Sequence, residues 1–133
     1  DGRDVVIIEG EKSRLGVGND LLDNAKSIKR ILGPSRQAFS KYDEILEEAK
    51  KVDKNSLILL ALGPAATCLA YDLHMLGYQA VDIGHVDVEY EWYKMKAKRK
   101  VPIKNKMVHE ALANEIGETH DLEYENQIIA KII

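Results

Sequence analysis

The chain has little of the chemistry that cross-links a fold, crosses a membrane or binds nucleic acid. It contains a single cysteine, Cys68, so an intrachain disulfide and a cysteine-based zinc site are both excluded. Its longest apolar stretch, residues 57–62, is far too short to span a bilayer. Lys and Arg number 19 against 22 Asp and Glu, a formal net charge of -3, whereas a nucleic-acid-binding module carries a basic face. We therefore expect no nucleic-acid partner, and a reducing, cytoplasmic location.

The remaining composition is that of an ordinary globular protein. Hydrophobic residues make up 45% and charged residues 31% of 133 positions, which is enough for one modest core. We predict a single domain over residues 1–133, in which Cys68 is a buried core residue. Because the chain begins at Asp1 without Met, only a few residues before a predicted strand, we expect it to be a piece of a longer polypeptide.

Four short apolar runs predict β-strands, at residues 5–8, 28–32, 57–62 and 80–83. The first and third runs lack polar alternation, which is typical of strands that are covered on both faces. The second run is interrupted by Lys29 and Arg30, which favours a position nearer the edge of the sheet.

Amphipathic segments lie between the runs. Residues 42–52 predict a helix that Ser40 caps, and residues 65–76 predict a second helix that ends at Gly77. Further helices are predicted at residues 88–98 and 105–116, and the tail 127–133 is predicted to be an extra strand or a docking segment. Strands that alternate with helices indicate an α/β fold with a parallel sheet.

In such sheets, ligands bind beyond the carboxyl ends of the strands. The loop after the first strand contains Gly16 and Gly18, which allow close approach of the backbone to an anion, and Asn19 and Asp20, where a helix is expected to begin. Arg14 offers a planar fork for a diphosphate. A third glycine is missing, so the loop does not match a dinucleotide fingerprint. The alternative is a glycine-rich turn with Asp20 capping the helix.

The loop after the fourth strand contains Asp87-Val88-Glu89, a carboxylate pair suited to a hard divalent cation. Both carboxylates reach one ion only if this segment is extended or turning. The alternative is an acidic first turn of the following helix. His85 is a candidate for phosphate contact or acid–base chemistry, or else a loop histidine bonded to backbone. A second pair, Asp121 and Glu123, follows no predicted strand and is the weaker candidate.

These loops resemble those of the GT-D-type glycosyltransferases, a bacterial family that glycosylates surface adhesins or makes surface polysaccharide. The matching runs are EGEKSRLGVGNDLLDNA at 9–25, GPSRQAF at 33–39, LGP at 62–64 and DIGHVDVEYEW at 82–92. The resemblance covers roughly residues 4–110 in several separated blocks, which makes it far more specific than any one motif.

The resemblance implies a Rossmann-like three-layer α/β sandwich, with a mostly parallel sheet of about four strands flanked by helices. It implies a UDP-sugar donor and a divalent metal, Mn²⁺ or Mg²⁺, held by Asp87 and Glu89. The expected nucleotide-sugar-binding residues are Arg14, Gly16, Gly18, Asn19, Asp20, Ser35 and Gly63. The expected catalytic residues are Glu9, Glu11 and His85, where the two glutamates are base candidates by location only.

Two functions follow from these expectations. The first is metal-dependent transfer of a hexose from a UDP-sugar to an acceptor glycan of a bacterial surface glycoprotein or polysaccharide. The second is a non-catalytic nucleotide- or glycan-binding module, because fuller members of the family extend further at the N-terminus, where another motif contributes to the site. A nicotinamide- or S-adenosylmethionine-binding domain ranks last, since Gly33-Pro34 stands where an acidic residue is expected.

Overall fold

The computed structural model describes residues 2–84, 86–95 and 122–133, with backbone alone at positions 87, 88 and 95. The strands are β1 (Asp4–Gly10), β2 (Ser27–Gly33), β3 (Leu57–Ala61), β4 (Gln79–Asp82) and β5 (Ile128–Lys131). The helices are α1 (Tyr42–Ala49), α2 (Pro64–Met75), α3 (Val86–Met95) and α4 (Leu122–Gln127), with a 3₁₀ helix (Ala38–Lys41) directly before α1. His85, Asp121 and the predicted helix 105–116 lie outside the described residues.

The strands form one sheet in the order β4-β3-β1-β2-β5, and every pairing is parallel. The predicted α/β class with a parallel sheet is confirmed, with five strands instead of about four. The additional strand is the chain tail, which pairs with β2 as β5. The prediction that residues 28–32 lie nearer an edge is therefore wrong, because β5 covers that side of β2. The polar interruption at Arg30 has another cause, a buried ion pair that is described below.

Helices α1 and α2 cover one face of the sheet. Their apolar stripes pack on the inward residues of β1, β2 and β3, and the cluster includes Val6, Ile8, Ile31, Ile45, Ile58, Leu60, Leu69 and Leu73. Full burial of side chains of this size is the main stabilising contribution of the fold. Cys68 is exposed, so the prediction of a buried cysteine is wrong. The buried stripe of α2 runs through Ala65, Leu69 and Leu73, four residues apart, and Cys68 falls beside it.

The sequence predicts the end of α2 correctly but not the start of α1. At the end of α2, the N–H of Tyr78 bonds to the carbonyl of Leu73 and that of Gly77 to the carbonyl of His74, which confirms the predicted glycine stop as a Schellman motif. The predicted cap of α1 is wrong. Ser40 lies inside the 3₁₀ helix and donates to the carbonyl of Gln37, while α1 begins without a side-chain cap.

The opposite face is covered by the loop between β1 and β2, together with α3 and α4. This first loop, residues 11–26, contains turns and no helix, so the helix expected to begin at Asn19 and Asp20 is absent. The Asn19 Oδ1 accepts the N–H of Leu21 at 3.0 Å, and the N–H of Asp23 reaches the carbonyl of Asp20 at 3.2 Å. Local bonds of this kind compete with a helix for the same backbone groups. No helix in the described ranges is long and apolar enough to cross a membrane.

Candidate functional site

The strand order identifies the edge of the sheet where a ligand fits. Because the strands are parallel, all their carboxyl ends lie at one edge. From β1 the chain moves to β2 on one side and later returns to β3 on the other, so β1 marks the point where the topology switches. Ligands of open α/β sheets bind in the crevice at such a point. The loops that follow β1, β2, β3 and β4 all begin at this edge.

A pocket of about 210 Å³ occupies the crevice. Its lining consists of Gly10, Ser13, residues 34–39 and residues 61–65, from the loops after β1, β2 and β3. Two predicted nucleotide-sugar-binding residues, Ser35 and Gly63, are brought together here. Arg36 lies beside them, and the described lining contains no Asp or Glu. We name this space the crevice pocket, and its charge suits an anionic ligand.

Helix α2 begins at the crevice pocket. Gly63 precedes its first residue, Pro64, and the first turn has no side-chain cap. The positive end of the helix dipole therefore adds to the charge of Arg36 at this place. Gly63 has φ 61° and ψ -143°, a combination that side chains with a Cβ rarely adopt.

Replacing Gly63 by alanine is expected to lower the free energy of unfolding by about 1–3 kcal/mol. A Cβ at this position meets nothing within 4 Å, so the whole loss comes from backbone strain and not from a clash. The reverse change, Gln37→Gly, is the control. Gln37 has φ 55° although it carries a side chain, so glycine at this position is expected to stabilise the protein slightly. Urea denaturation measures both; equal midpoints for Gly63→Ala and the parent would contradict the assignment.

The first loop is held by a buried ion pair between neighbouring strands. Glu9 on β1 is 0% exposed and Arg30 on β2 is 2% exposed, with Oε1 and Nη1 2.8 Å apart. Glu9 Oε2 accepts the N–H of Leu15 at 2.8 Å, and Arg30 Nη2 donates to the carbonyl of Leu15 at 2.8 Å. The ion pair thus binds both the N–H and the carbonyl of Leu15. Both oxygens of Glu9 are engaged and buried, which favours a positioning role over the predicted role of base.

Helix α4 covers this ion pair. Arg30 Nε donates to Gln127 Oε1 at 2.7 Å, and the guanidinium carbon lies 5.0 Å from the centre of the Tyr124 ring. Burial, together with the negative charge of Glu9, raises the pKa of Tyr124 to about 12, so this phenol stays neutral. Sequence reasoning missed the group. The available signal was one charged residue of each sign within the mainly apolar runs of two strands, Glu9 directly after residues 5–8 and Arg30 within residues 28–32.

Glu11, the second base candidate, lies just past the end of β1. Its Oε1 is 3.4 Å from Lys131 Nζ at the end of β5, so it faces the β2–β5 side of the edge. Its N–H bonds to the carbonyl of Gly33, which joins the first loop to the end of β2. Glu11 is partly exposed and remains accessible to a ligand at the carboxyl edge.

The predicted glycine loop does not form part of the crevice pocket. Gly16, Gly18 and Asn19 line a separate pocket of about 330 Å³ between the first loop and α4. Arg14 is largely buried, so most of its guanidinium group is shielded from solvent. Its backbone has φ 51°. The structure therefore divides the predicted nucleotide-binding residues into two groups, with Ser35 and Gly63 in one and Gly16, Gly18 and Asn19 in the other.

The loops that follow β1 and β4 meet through α3. Asn19 Nδ2 donates to Glu91 Oε1 at 2.8 Å, and the hydroxyl of Tyr90 donates to Asp20 Oδ1 at 2.6 Å. Lys94 Nζ lies 3.7 Å from the same Asp20 oxygen. Below these polar contacts, Ile83 and Val86 pack against the apolar cluster of Leu15. The two predicted site loops thus lie on the same side of the molecule.

Replacing Tyr90 by phenylalanine is expected to raise the pKa of Asp20 toward its ordinary value. The Tyr90 hydrogen bond is the main cause that holds this pKa below 3.8, and Asp20 in turn raises the pKa of Tyr90. Because the pKa of Asp20 is lower in the folded protein than in the unfolded chain, the contact stabilises the fold at pH values above the unfolded pKa. This stabilisation is lost as the pH falls through the folded pKa. A carboxyl NMR titration measures the change. The control is Tyr93→Phe, on the exposed side of α3, and an Asp20 curve that is identical in all three proteins would refute the assignment.

The Asp-x-Glu motif lies on a helix. Asp87 and Glu89 are the second and fourth residues of α3, and positions two apart are separated by about 200° around a helix axis. The condition for joint ligation, an extended or turning segment, is not met. Among the described residues, no group of three or more His, Cys, Asp or Glu is placed to hold a metal ion. The residues fit an ion of the Mg²⁺ type, which takes one or two carboxylates and completes its shell with phosphate and water.

Comparisons with known proteins agree with this fold. The family described as "Glycosyltransferase GT-D fold" matches residues 1–111. A glycosyltransferase GlyD of Streptococcus pneumoniae serotype 4 is 48% identical over the whole chain, and a probable glycosyl transferase Gly of Streptococcus gordonii is 47% identical over 98% of it. The chain spans 16% and 19% of the length of these two relatives.

Two solved structures share the architecture. A highly conserved domain of unknown function 1792 with a distinct glycosyltransferase fold superposes with a TM-score of 0.90 at 50% identity, over 99% of this chain and 48% of that one. A new glycosyltransferase from Streptococcus sanguinis superposes with a TM-score of 0.91 at 46% identity, over all of this chain and 50% of that one. From the family match and these identities, the chain belongs to the GT-D-fold glycosyltransferase family.

Proposed function

We propose that the protein containing this chain transfers a hexose from a UDP-sugar to an acceptor glycan of a bacterial surface glycoprotein or polysaccharide. The observation that carries the proposal is the crevice pocket. It lies at the topological switch point and has no carboxylate in its described lining. The acidic first turn of α3 follows the carboxyl end of β4 at the same edge of the sheet, and these two features together match the needs of a metal-bound diphosphate.

The diphosphate of the donor lies in the crevice pocket in this proposal. Arg36 supplies a planar fork for phosphate oxygens, and the hydroxyls of Ser13 and Ser35 supply further donors. The first turn of α2 after Gly63 presents the positive end of its dipole. These groups stabilise the negative charge that develops on the departing UDP, which is the main electrostatic task in glycosyl transfer.

A divalent cation, Mn²⁺ or Mg²⁺, would neutralise the diphosphate leaving group when bound. Either Asp87 or Glu89 would hold it from the first turn of α3, since the helix directs these two positions apart. Glu11 and His85 are the proposed bases for the acceptor hydroxyl, while Glu9 holds the first loop through Leu15. Arg14 acts within the first loop, Asn19 and Asp20 join that loop to α3, and Gly16 and Gly18 line the pocket between the loop and α4.

A second candidate is a non-catalytic module that binds a nucleotide or a glycan. It is favoured by the position of Glu9, which is buried and committed to Arg30. The chain spans about half of the length of the solved relatives. The partners of the transferase are a nucleotide sugar and an acceptor glycan, whereas the binding module needs only one of the two. We place the protein in the cytoplasm, where its exposed thiol at Cys68 stays reduced.

Titration of the chain with UDP, with and without Mn²⁺, tests binding. We expect Mn²⁺ to tighten UDP binding, and Arg36→Ala to weaken it about 10- to 100-fold through loss of a charged hydrogen bond. Lys50→Ala, an exposed cation at the far end of α1, is the control and is expected to bind normally. No saturable UDP binding in the presence of Mn²⁺ would contradict the proposal. Release of UDP from UDP-hexose then separates the enzyme from the binding module.

A further inference from the structure

An open groove of about 740 Å³ lies next to the crevice pocket, between the start of α1 and the outer face of α2. Its volume falls within the range of about 300–1,000 Å³ that is typical of ligand sites. Phe39 lines both this groove and the crevice pocket, so the two spaces adjoin at that residue. We name this space the aromatic groove.

Exposed aromatic side chains border the aromatic groove. Phe39 is 54% exposed and Tyr71 is 65% exposed, one from the 3₁₀ helix and one from α2. The Phe39 ring stacks on Tyr42, with centroids 5.8 Å apart and planes 19° apart, which fixes its orientation. Large apolar surfaces left in contact with water around a groove indicate a ligand or partner that covers them. The C–H faces of a pyranose ring stack on aromatic rings of this kind.

The charges around the aromatic groove select against phosphate. Asp43, Glu44 and Asp72 contribute three carboxylates, whereas the lining contains one cation, Lys41, whose Nζ lies 3.6 Å from Glu44. The hydroxyl of Tyr42 donates to Asp72 and orients that carboxylate at the groove. A nucleoside diphosphate is repelled here, while the hydroxyls of a neutral sugar find acceptors. The aromatic groove therefore favours a neutral ligand, whereas the crevice pocket favours an anion.

We propose that the aromatic groove binds a neutral pyranose unit of the acceptor glycan, with Tyr71 and Phe39 as its stacking residues. The inference rests on the proposed function, because it assigns the acceptor to this groove and the donor diphosphate to the crevice pocket. A sugar stacked at Phe39 lies at the border of the two spaces. The open side of the groove leaves room for the rest of the glycan to continue into solvent.

Cys68 provides a direct test, since the chain's single cysteine is exposed and lines the aromatic groove. The rate of its alkylation by iodoacetamide is measured with and without methyl glycosides and β-linked disaccharides of glucose and N-acetylglucosamine. We expect at least one sugar to slow alkylation several-fold in a saturable manner, and Tyr71→Ala to abolish that protection. Met75→Ala, equally exposed one turn further along α2, is the control and is expected to retain it.

Steady-state kinetics of sugar transfer provide the second readout. We expect Tyr71→Ala to raise the KM for the acceptor about tenfold while the affinity for UDP with Mn²⁺ stays unchanged. If UDP binds normally but no sugar slows alkylation and the acceptor KM is unaltered, the inference is overturned and the proposed function stands. If sugars protect Cys68 but UDP neither binds nor is released, the function fails and the groove assignment stands. A Cys68 that does not react with iodoacetamide in the absence of sugar would mean that protein covers the groove, and would overturn the inference.

Discussion

Replacing Arg30 by alanine is expected to lower the free energy of unfolding by about 3–5 kcal/mol, as for other buried ion pairs that lose one member. The change leaves the carboxylate of Glu9, which is 0% exposed, without the cation that lies 2.8 Å away. It also removes the donor to the carbonyl of Leu15 and the guanidinium beside Tyr124. The loss is measured by chemical denaturation of the parent chain and the variant under the same conditions.

The control for Arg30→Ala is Lys51→Ala. Lys51 pairs with Glu48 at the same distance of 2.8 Å, but this pair lies on the surface of α1 and is expected to contribute about 0–1 kcal/mol. A double variant, Glu9→Met with Arg30→Met, separates charge from packing, because replacing both members removes the unpaired charge. We expect it to be more stable than Arg30→Ala. Equal effects of Arg30→Ala and Lys51→Ala would show that the buried pair does not hold the first loop.

Neutralising the carboxylates of α3 one at a time is expected to give unequal losses of activity. One of Asp87→Asn and Glu89→Gln should lower kcat/KM for sugar transfer by about 100-fold or more, and the other by less than about tenfold. We expect this inequality because positions 87 and 89 are about 200° apart around the axis of α3, so that the single proposed ion lies nearer to one of them. The variant with the larger loss should also lose the tightening of UDP binding by Mn²⁺.

Glu47→Gln is the control for these variants, since Glu47 is an exposed carboxylate on α1 that lies far along the helix from the carboxyl edge. Its activity and Mn²⁺ dependence are expected to match those of the parent. Equal and large losses in Asp87→Asn and Glu89→Gln would mean that both carboxylates ligate the ion. In that case the first turn of α3 unwinds when the donor binds.

Much of the fold follows from local sequence patterns. The run without polar alternation at residues 5–8 became the central strand of the sheet, with both faces covered. The glycine stop of α2 and the additional strand at the tail were also predicted, because each depends on a few adjacent residues. For the Asp-x-Glu motif, the alternative prediction of an acidic first turn of a helix matches the backbone of α3.

The failures share a different cause. Lys29 and Arg30 suggested a strand nearer an edge, since a single sequence does not show that Glu9 lies on the neighbouring strand at the same face as Arg30. Asn19 and Asp20 suggested a helix start, but their side chains bind Leu21, Glu91 and Tyr90 instead. The separation of Ser35 and Gly63 from the glycine loop depends on the strand order, which brings β1 between β2 and β3. Long-range pairing decides each of these points, and a local pattern does not encode it.

The most direct measurement is a crystal structure of the chain soaked with UDP and Mn²⁺. We expect the pyrophosphate in the crevice pocket beside Arg36 and Gly63, and the metal about 2.0–2.3 Å from one carboxylate oxygen of Asp87 or Glu89. The uridine is expected to follow the carboxyl edge of the sheet. Nucleotide density in the aromatic groove, or metal density away from α3, would contradict the assignment of the crevice pocket to a metal-bound diphosphate.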